Sequence, residues 1–278
     1  MNYYQLKLPI RESQEQNDIL MAQLSALGYE SFEETETLLL AYIQENDFSK
    51  ETLAEIPVCK ELSEKDKLNI EFIKEQNWNA VWESNYPPVL IENKCYIHAP
   101  FHEKRSDVDF NILINPKMAF GTAHHETTSQ IIKLLLEEDL SGKEILDMGC
   151  GTGVLAILAS MKGAFHIDAV DNDPWAFNNT EENVEQNNIK NIKALLGDAS
   201  LLTQSEKYDI IFANINKNIL LQDIPTYSKA LKPKGDIYFS GFYEVDLEQI
   251  KSKALENSLH YIKHISKNNW VAAVFRKV

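Results

Sequence analysis

A glycine-rich stretch in the second half of the chain carries the clearest chemical pattern. An apolar run ends at Asp147, and glycines follow at alternate positions, Gly149, Gly151 and Gly153, directly before the apolar run 154–159. Glycine has no Cβ, so a turn of this composition can take positive φ and bring bare backbone against a ligand. The next helix would offer unpaired N–H groups to the same ligand. The pattern predicts a strand, a tight turn and a helix that together hold a cofactor.

The acids around this turn indicate the kind of cofactor. The dinucleotide fingerprint has a different glycine spacing, and Asp147 would face a cationic group better than a pyrophosphate. Asp171 ends a second predicted strand, where an acid can bind both hydroxyls of a ribose. Asp198 follows a third strand and could recognise the amine of an adenine. The set favours S-adenosylmethionine, which carries a cationic amino group, over an ordinary strand–helix turn with incidental surface acids.

Two other stretches are candidates for the same site. The loop 115–128 is rich in polar side chains and leads into a helix, so we expect it to close over the bound ligand. The alternative is a plain helix cap formed by Thr127 or Thr128. A buried strand, 208–213, ends at Asn214, and open α/β sheets bind ligands where their strands end. Asn214 is therefore a predicted active-site residue, with a turn or a helix cap as the alternative.

The histidines do not form a convincing metal site. His124, His125 and Glu126 are adjacent, and neighbouring side chains point in different directions. His98 and His102 have the spacing of one helical turn, but a proline lies between them. Zinc sites need three or four ligands in a tetrahedral arrangement. We expect no bound metal.

Composition restricts the partners of the protein. The chain has 278 residues and a formal net charge of -15. Such a surface repels phosphates, so a basic protein is a better partner than nucleic acid; the alternative is that the acidity only aids solubility. Three scattered cysteines fit a reducing compartment. The start is not a signal peptide, and no apolar run reaches membrane-spanning length, so we expect a cytoplasmic protein without membrane contact.

The N-terminal part predicts a separate small domain. Its patterns alternate in the order β-α-β-β-α-β, which is typical of a ferredoxin-like sandwich, and we assign it to 1–75. A linker, 76–88, would join it to a larger domain, 89–278. Trp78 and Trp82 share one helical face of this linker. They either pin the linker to a domain or bring one ring near a substrate amine by cation–π attraction.

The whole chain resembles the ribosomal protein L11 methyltransferases, the PrmA family, within the class I S-adenosylmethionine-dependent methyltransferases. A loop joining Phe-Gly-Thr to His-x-Thr-Thr is specific to this family within the wider fold. The residues that carry the resemblance are 119–122, His125, Thr127, Thr128, 146–153, Asp171 and 213–215. The resemblance implies an α/β fold, a Rossmann-like seven-stranded sheet preceded by a small ferredoxin-like α+β domain.

The resemblance also implies an activity, namely transfer of methyl groups from S-adenosylmethionine to lysine or N-terminal amines of ribosomal protein L11. The small domain would hold the ribosomal protein, and the linker would let that domain swing. By resemblance, Thr128, Gly149, Asp171 and Asn214 contact the cofactor. The full predicted cofactor set adds Phe120, Gly121, Thr122, Asp147, Gly151 and Asp198.

The mechanism implied is in-line attack by an amine on the sulfonium methyl. The amine must be neutral, and a free lysine has a pKa of ~10.4, so burial must favour loss of its proton. We predict that Asn214 accepts a hydrogen bond from the amine and aims its lone pair, and that His125 relays a proton. The sequence departs from the family loop at Ala123, His124 and Glu126, on the substrate side of the pocket.

Two other functions are compatible with the fold class. One is a nucleic-acid methyltransferase; the acidic charge and the stretch 214–217, which lacks the Asn-Pro-Pro-aromatic pattern of base-amine methyltransferases, disfavour it. The other is a binding or assembly factor that keeps the cofactor fold without catalysis. The intact glycines and acids speak against that loss of function.

Overall fold

The structure is a computed structural model that describes most of the chain as two compact units, Met1–Val81 and Trp82–Val278. The described residues are 2–11, 13–35, 37–65, 67–73, 86–115 and 121–278, without the side chains of residues 14 and 15. Phe120, Trp78 and Trp82, and most of the linker predicted at 76–88, lie outside the described residues. None of the helices described is long and apolar enough to cross a membrane.

The first unit is a four-stranded antiparallel sheet with helices, as the alternating pattern predicts. Its elements are β1 (Tyr3–Pro9), α1 (Gln14–Ala26), β2 (Ser31–Glu34), β3 (Leu38–Gln44), α2 (Lys50–Leu53), α3 (Pro57–Glu64) and β4 (Asn69–Ile73). The strand order is β2-β3-β1-β4, which confirms the ferredoxin-like sandwich. Every second residue of β3 is buried, and Leu39, Ala41 and Ile43 meet Leu20 and Leu24 of α1 in one apolar core.

The second unit begins with a small three-stranded sheet and the helix that precedes the glycine-rich stretch. The strands are β5 (Val89–Ile91), β6 (Cys95–His98) and β7 (Phe110–Leu113), in the order β5-β6-β7. Helix α4 (Glu126–Glu137) follows, and its apolar face is fully buried. This helix places the end of the loop 115–128 beside the large sheet.

The large sheet has seven strands and carries the predicted cofactor turn. Its elements are β8 (Glu144–Met148), α5 (Val154–Met161), β9 (His166–Asp171), α6 (Pro174–Gln186), β10 (Ile192–Leu196), β11 (Tyr208–Asn214), α7 (Lys217–Ala230), β12 (Leu231–Tyr243), α8 (Leu247–Leu255), β13 (Leu259–Lys267) and β14 (Trp270–Lys277). The order is β10-β9-β8-β11-β12-β14-β13. All neighbouring strands are parallel except β14, which runs antiparallel to both β12 and β13.

The position of the site follows from this strand order. The chain moves outward from β8 to β10 and then returns to add β11 on the other side of β8, so the order reverses between β8 and β11. Ligands of open α/β sheets bind outside the carboxyl ends of the strands at such a reversal. Because the strands are buried on both faces, Ile145 and Leu146 belong to two different cores, one on each side of the sheet.

Candidate active site

A cleft of about 400 Å³ opens at the carboxyl ends of the central strands. It lies at the reversal of strand order, between the ends of β8, β9, β11 and β12. The lining residues are His125, Thr127, Gly149, Gly151, Asp171, Asn172, Asp173, Ala176, Asn214, Ile215, Asn216, Ile219, Gly241 and Trp270. Among the described residues, the lining includes two acids and neither lysine nor arginine, so its electrostatic character favours a cationic ligand.

The glycine-rich turn forms the floor of the cleft. Gly149, Gly151 and Gly153 all have positive φ, at +72°, +58° and +77°, which is the conformation that the spacing predicts. The N–H of Gly149 donates to the carbonyl of Val170, 2.8 Å away, so the turn is attached to the end of β9. From α6, the hydroxyl of Thr180 donates to the carbonyl of Gly151 at 2.8 Å. The turn is held from both sides.

Asp171 joins the turn to the end of β9. Its Oδ2 accepts the N–H of Gly151 at 2.9 Å, and its Oδ1 accepts the N–H of Asp173 at 3.0 Å. Each carboxylate oxygen has a second lone pair, so both remain able to accept a hydrogen bond from a ligand. The carboxylate therefore has the geometry to bind two neighbouring hydroxyl groups.

Asp147 lies beneath the turn and not on the cleft. Its side chain is buried, and Oδ2 accepts the N–H of Ala156, in the first turn of α5, at 3.1 Å. Burial raises the pKa of this carboxyl from the ordinary value of 3.8 to about 7; the Ala156 N–H opposes the rise, and the charge of Asp171 adds to it. The carboxyl group accepts a hydrogen bond from a free N–H at the N-terminus of α5. It does not face the cleft, whereas the sequence predicts that it faces the ligand.

The buried Asp147 predicts a pH-dependent stability. When the pKa of a carboxyl is higher in the folded state than in the unfolded state, the group stabilises the fold fully at pH values below the unfolded-state pKa. This stabilisation is lost as the pH rises through the folded-state pKa. Between about pH 4.5 and about pH 8, the urea midpoint of the wild-type chain should therefore fall relative to that of Asp147→Asn. Urea unfolding of both proteins at each pH measures this difference in midpoint, because the two proteins share every other titrating group. A constant difference between them would contradict the prediction.

Asn214 provides an unpaired acceptor at the cleft. Its Nδ2 donates to the hydroxyl of Thr128, 3.1 Å away, which fixes the orientation of the amide. Its Oδ1 is buried and has no hydrogen-bond partner among the described residues. A buried acceptor without a partner costs about 1–3 kcal/mol, so such a group commonly serves a ligand. The side chain can accept an N–H at the point where the cleft meets the glycine-rich turn.

Two glycines allow the segment after Asn214 to sit against the turn. A Cβ at Gly149 would lie 2.3 Å from Cγ2 of Ile215. A Cβ at Gly241 would lie 2.2 Å from the carbonyl oxygen of Ile215, and Gly241 has φ of +92°. The antiparallel pairing of β12 with β14 is irregular between Ser240 and Phe242, on either side of this glycine. Ile215 is thus held between β12 and the cofactor turn by two positions that require glycine.

Aromatic rings form another wall of the cleft. The Trp270 ring packs edge-on against His125, with centroids 4.7 Å apart, and lies 4.1 Å from the Tyr243 ring. The Nε2 of Gln130 donates to the carbonyl of Trp270 at 3.1 Å, which ties this wall to α4. The Nδ1 of His125 accepts the N–H of Thr127, so His125 caps the helix.

The loop before α4 is fixed to the turn. The hydroxyl of Thr152 donates to the carbonyl of Gly121 at 2.7 Å, and the hydroxyl of Tyr86 donates to the carbonyl of Thr122 at 2.7 Å. Ala123 is buried with φ of +64°, a conformation in which an alanine is strained and a glycine is not. Ala123 therefore adopts a strained left-handed conformation beside the site, where the family loop commonly has glycine.

The structure brings together part of the predicted site. The predicted residues on the cleft are His125, Gly149, Gly151, Asp171 and Asn214. Thr128 contacts the site through Asn214, and Gly121 contacts it through Thr152. Gly121 and Thr128 do not line the cleft themselves, and Thr122, Asp147 and Asp198 do not line it either. Asp198 is exposed and accepts the N–H of Ser200, so it caps the short turn after β10.

Several lining residues were not anticipated, namely Asn172, Asp173, Ala176, Ile215, Asn216, Ile219, Gly241 and Trp270. Asn172, Asp173 and Asn216 directly follow strands whose ends were recognised, so the position of the strand end is a usable signal for them. Trp270 and Gly241 reach the cleft only through the pairing of β12 with β14, which no local pattern reveals. Among the described residues, no group of three or more His, Cys, Asp or Glu side chains is placed to hold a metal ion.

The fold and the cleft define the class of the protein. A mainly parallel seven-stranded sheet with an antiparallel strand inserted near one edge, a glycine-rich turn after the first strand and an acid at the end of the second are the features of a class I methyltransferase. A family model extends the match to almost the whole chain: residues 7–278 match "Ribosomal protein L11 methyltransferase (PrmA)". The chain belongs to the ribosomal protein L11 methyltransferase family.

Individual relatives agree with this assignment. A protein of Phocaeicola vulgatus named ribosomal protein L11 methyltransferase is 46% identical, over 93% of each chain. A protein of the same name from Chlorobaculum tepidum is 36% identical, over 92% of this chain and 91% of its own. The crystal structure of a ribosomal protein L11 methylase from Lactobacillus delbrueckii subsp. bulgaricus superposes with a TM-score of 0.62 at 27% identity, covering 69% of this chain and 100% of that one.

Proposed function

We propose that this protein transfers methyl groups from S-adenosylmethionine to lysine or N-terminal amines of ribosomal protein L11. The observation that carries the proposal is the unpaired Oδ1 of Asn214, which is buried where the cleft meets the glycine-rich turn. An acceptor in that position can hold an amine next to a bound cofactor. The names of the relatives supply the identity of the substrate.

The cleft fits S-adenosylmethionine. The Asp171 carboxylate keeps a free lone pair on each oxygen for the ribose hydroxyls, and Gly149 and Gly151 present bare backbone. The acids and the absence of lysine and arginine from the described lining suit a ligand with sulfonium and ammonium groups. When bound, S-adenosylmethionine supplies an electrophilic methyl group on a sulfonium. We assign its binding to these residues and to Asn214.

The protein side of the reaction is mainly positioning. Asn214 is fixed by Thr128, so its Oδ1 can accept one N–H of the amine and direct the lone pair. Trp270 and Ile215 line the cleft with apolar surface, and an apolar surround favours the neutral amine. We assign His125, which lines the cleft, to relay the proton that the amine releases.

The acidic charge favours capture of a basic protein. At a net charge of -15, long-range attraction speeds the encounter and is screened by salt. Between about 50 mM and about 500 mM salt, KM for L11 should rise threefold or more, roughly, while kcat changes little. Steady-state methylation at saturating cofactor measures both constants. A KM that does not change with salt would show that net charge plays no part in capture.

We assign recognition of L11 to the N-terminal unit, predicted as 1–75, with 76–88 as the linker and the cytoplasm as the compartment. Support comes from its organisation: it has its own apolar core, formed around Leu6, Leu8 and Leu24. A unit that folds around its own core and lacks the chemical site is suited to binding.

Transfer of labelled methyl groups distinguishes the proposal from its rivals. The protein is incubated with labelled S-adenosylmethionine and, in parallel, with L11, with ribosomal RNA and with neither. Label in L11 alone is the expected result. Label in RNA would favour a nucleic-acid methyltransferase, and cofactor binding without transfer to either would favour a binding factor.

A further inference from the structure

Exposed apolar side chains surround the mouth of the cleft. Trp175 is 79% exposed and Val245 is 89% exposed, and Ile219 and Tyr243 are also exposed. They lie on the segments that follow β9, β11 and β12, at the carboxyl edge of the sheet. We call these four residues the cleft rim. Single exposed apolar residues are ordinary, but a group of them around one opening indicates a contact surface.

Ile219 and Tyr243 connect the rim to the cleft, and Trp175 is next to cleft residues in the sequence. Trp175 lies between Asp173 and Ala176, which both line the cleft, and Ile219 lines it directly. The Tyr243 ring packs on Trp270, 4.1 Å away. The rim is therefore continuous with the chemical site.

Val245 is held in place beside the same opening. Its neighbour Asp246 accepts a hydrogen bond from Nζ of Lys217 at 2.8 Å, two residues before Ile219. Asp246 also accepts the N–H of Tyr243 at 3.3 Å. The short turn that carries Val245 is thus tied to the start of α7, and its apolar side chain is presented to solvent by a fixed backbone.

The charges beside the rim identify what it contacts. Asp173 and Glu244 are exposed acids adjacent to Trp175 and Val245, and Asp198 is exposed at the end of the neighbouring strand. The one lysine at the start of α7, Lys217, is paired with Asp246. Tryptophan and tyrosine next to acids that form no ion pair within the described part of the chain match a partner that offers apolar and basic side chains together.

We propose that the cleft rim binds the residues of the protein substrate that flank the target amine, and that Trp175 and Val245 read a segment with apolar and basic side chains. The proposal rests on the proposed function, because it assigns the rim to the same substrate. The methyltransferase unit then contributes its own substrate recognition, beyond that assigned to the N-terminal unit.

The test compares KM with kcat in rim variants. Trp175→Ala is expected to raise KM for L11 about tenfold, since interface tryptophans often dominate binding energy. Val245→Lys should raise KM more than Val245→Ser, because a positive charge would repel a basic segment. The values of kcat and the affinity for S-adenosylmethionine should stay at wild-type levels in all three variants. Phe165→Ala is the control, because Phe165 is 70% exposed at the amino edge of the same sheet.

Each outcome bears on one proposal. If the wild-type protein binds S-adenosylmethionine but leaves L11 unmodified, the proposed function fails and the rim proposal fails with it. If the wild-type protein methylates L11 and the rim variants keep the wild-type KM, the rim proposal alone is overturned. If Trp175→Ala abolishes a self-association of the wild-type protein seen by sedimentation, the rim belongs to a second copy of the chain, and the proposal is likewise overturned.

Discussion

Replacing Asn214 with alanine is expected to lower kcat for methyl transfer about a hundredfold or more, while the affinity for S-adenosylmethionine falls by less than about tenfold. The reason is the buried Oδ1, which has no partner among the described residues and is oriented by the bond from Nδ2 to Thr128. Alanine removes the acceptor that directs the amine but leaves the glycine-rich turn and Asp171 in place. Single-turnover methylation and calorimetric titration with the cofactor measure the two effects separately.

Asn218→Ala is the matched control for Asn214→Ala. Asn218 is exposed in the first turn of α7 and does not line the cleft. It should leave kcat and cofactor affinity unchanged. A loss of cofactor binding in Asn214→Ala that accounts for the whole loss of turnover would make Asn214 a cofactor residue only. Unchanged methylation would remove it from the mechanism.

Gly241→Ala is expected to abolish most activity through the backbone. The new Cβ would lie 2.2 Å from the carbonyl oxygen of Ile215 at a residue with φ of +92°, so the segment after Asn214 must move. We expect a cost of about 2–4 kcal/mol, from the steric overlap and the left-handed conformation together. Asn214 and Ile215 would shift by more than the tolerance of a positioned amine, and turnover should fall more than about tenfold.

Gly142→Ala separates the effect of the left-handed backbone conformation from the effect of the steric overlap with Ile215. Gly142 also has positive φ, at +69°, but a Cβ there would meet nothing within 4 Å. It should cost about 1 kcal/mol and leave turnover unchanged, because only the backbone conformation is strained. Urea midpoints and turnover of both variants provide the comparison. Equal losses of turnover would show that the contact with Ile215 is not what positions the site.

The cofactor turn was predictable because its determinants are local. Three glycines at alternate positions can adopt positive φ without strain, and the structure has all three in that conformation. The helix after Asp173 also has local determinants, since a proline in its first position and an acidic cap specify a helix start. Asp171 and Asn214 were found because both end strands, and parallel strands end at one edge of the sheet.

The direction of Asp147 was not predictable from the same stretch. Side chains alternate along a strand, and one residue decides whether the acid faces the ligand or the helix behind the turn. Burial of Asp147 against the N-terminus of α5 depends on how the helix packs on β8, which is a tertiary property. Asp198 was assigned to the ligand because it follows a strand, and the structure shows that it caps the turn after β10.

Trp270 and Gly241 could not be found without the strand order. The two asparagines between β13 and β14 are a local signal for a hairpin, but nothing local indicates which strand the hairpin joins in the sheet. β14 inserts between β12 and β13, and this carries Trp270 from the end of the chain to His125 near its middle. Residues brought to a site by long-range pairing leave no signal in their own neighbourhood.

The most direct measurement is the intact mass of unmodified L11 after incubation with the wild-type protein and S-adenosylmethionine. The account predicts mass gains in steps of one methyl group, located by peptide fragmentation on lysine side chains or the N-terminal amine, and their loss with Asn214→Ala. The number of steps gives the number of methyl groups transferred. An L11 mass that stays unchanged while the wild-type protein binds the cofactor would contradict the account.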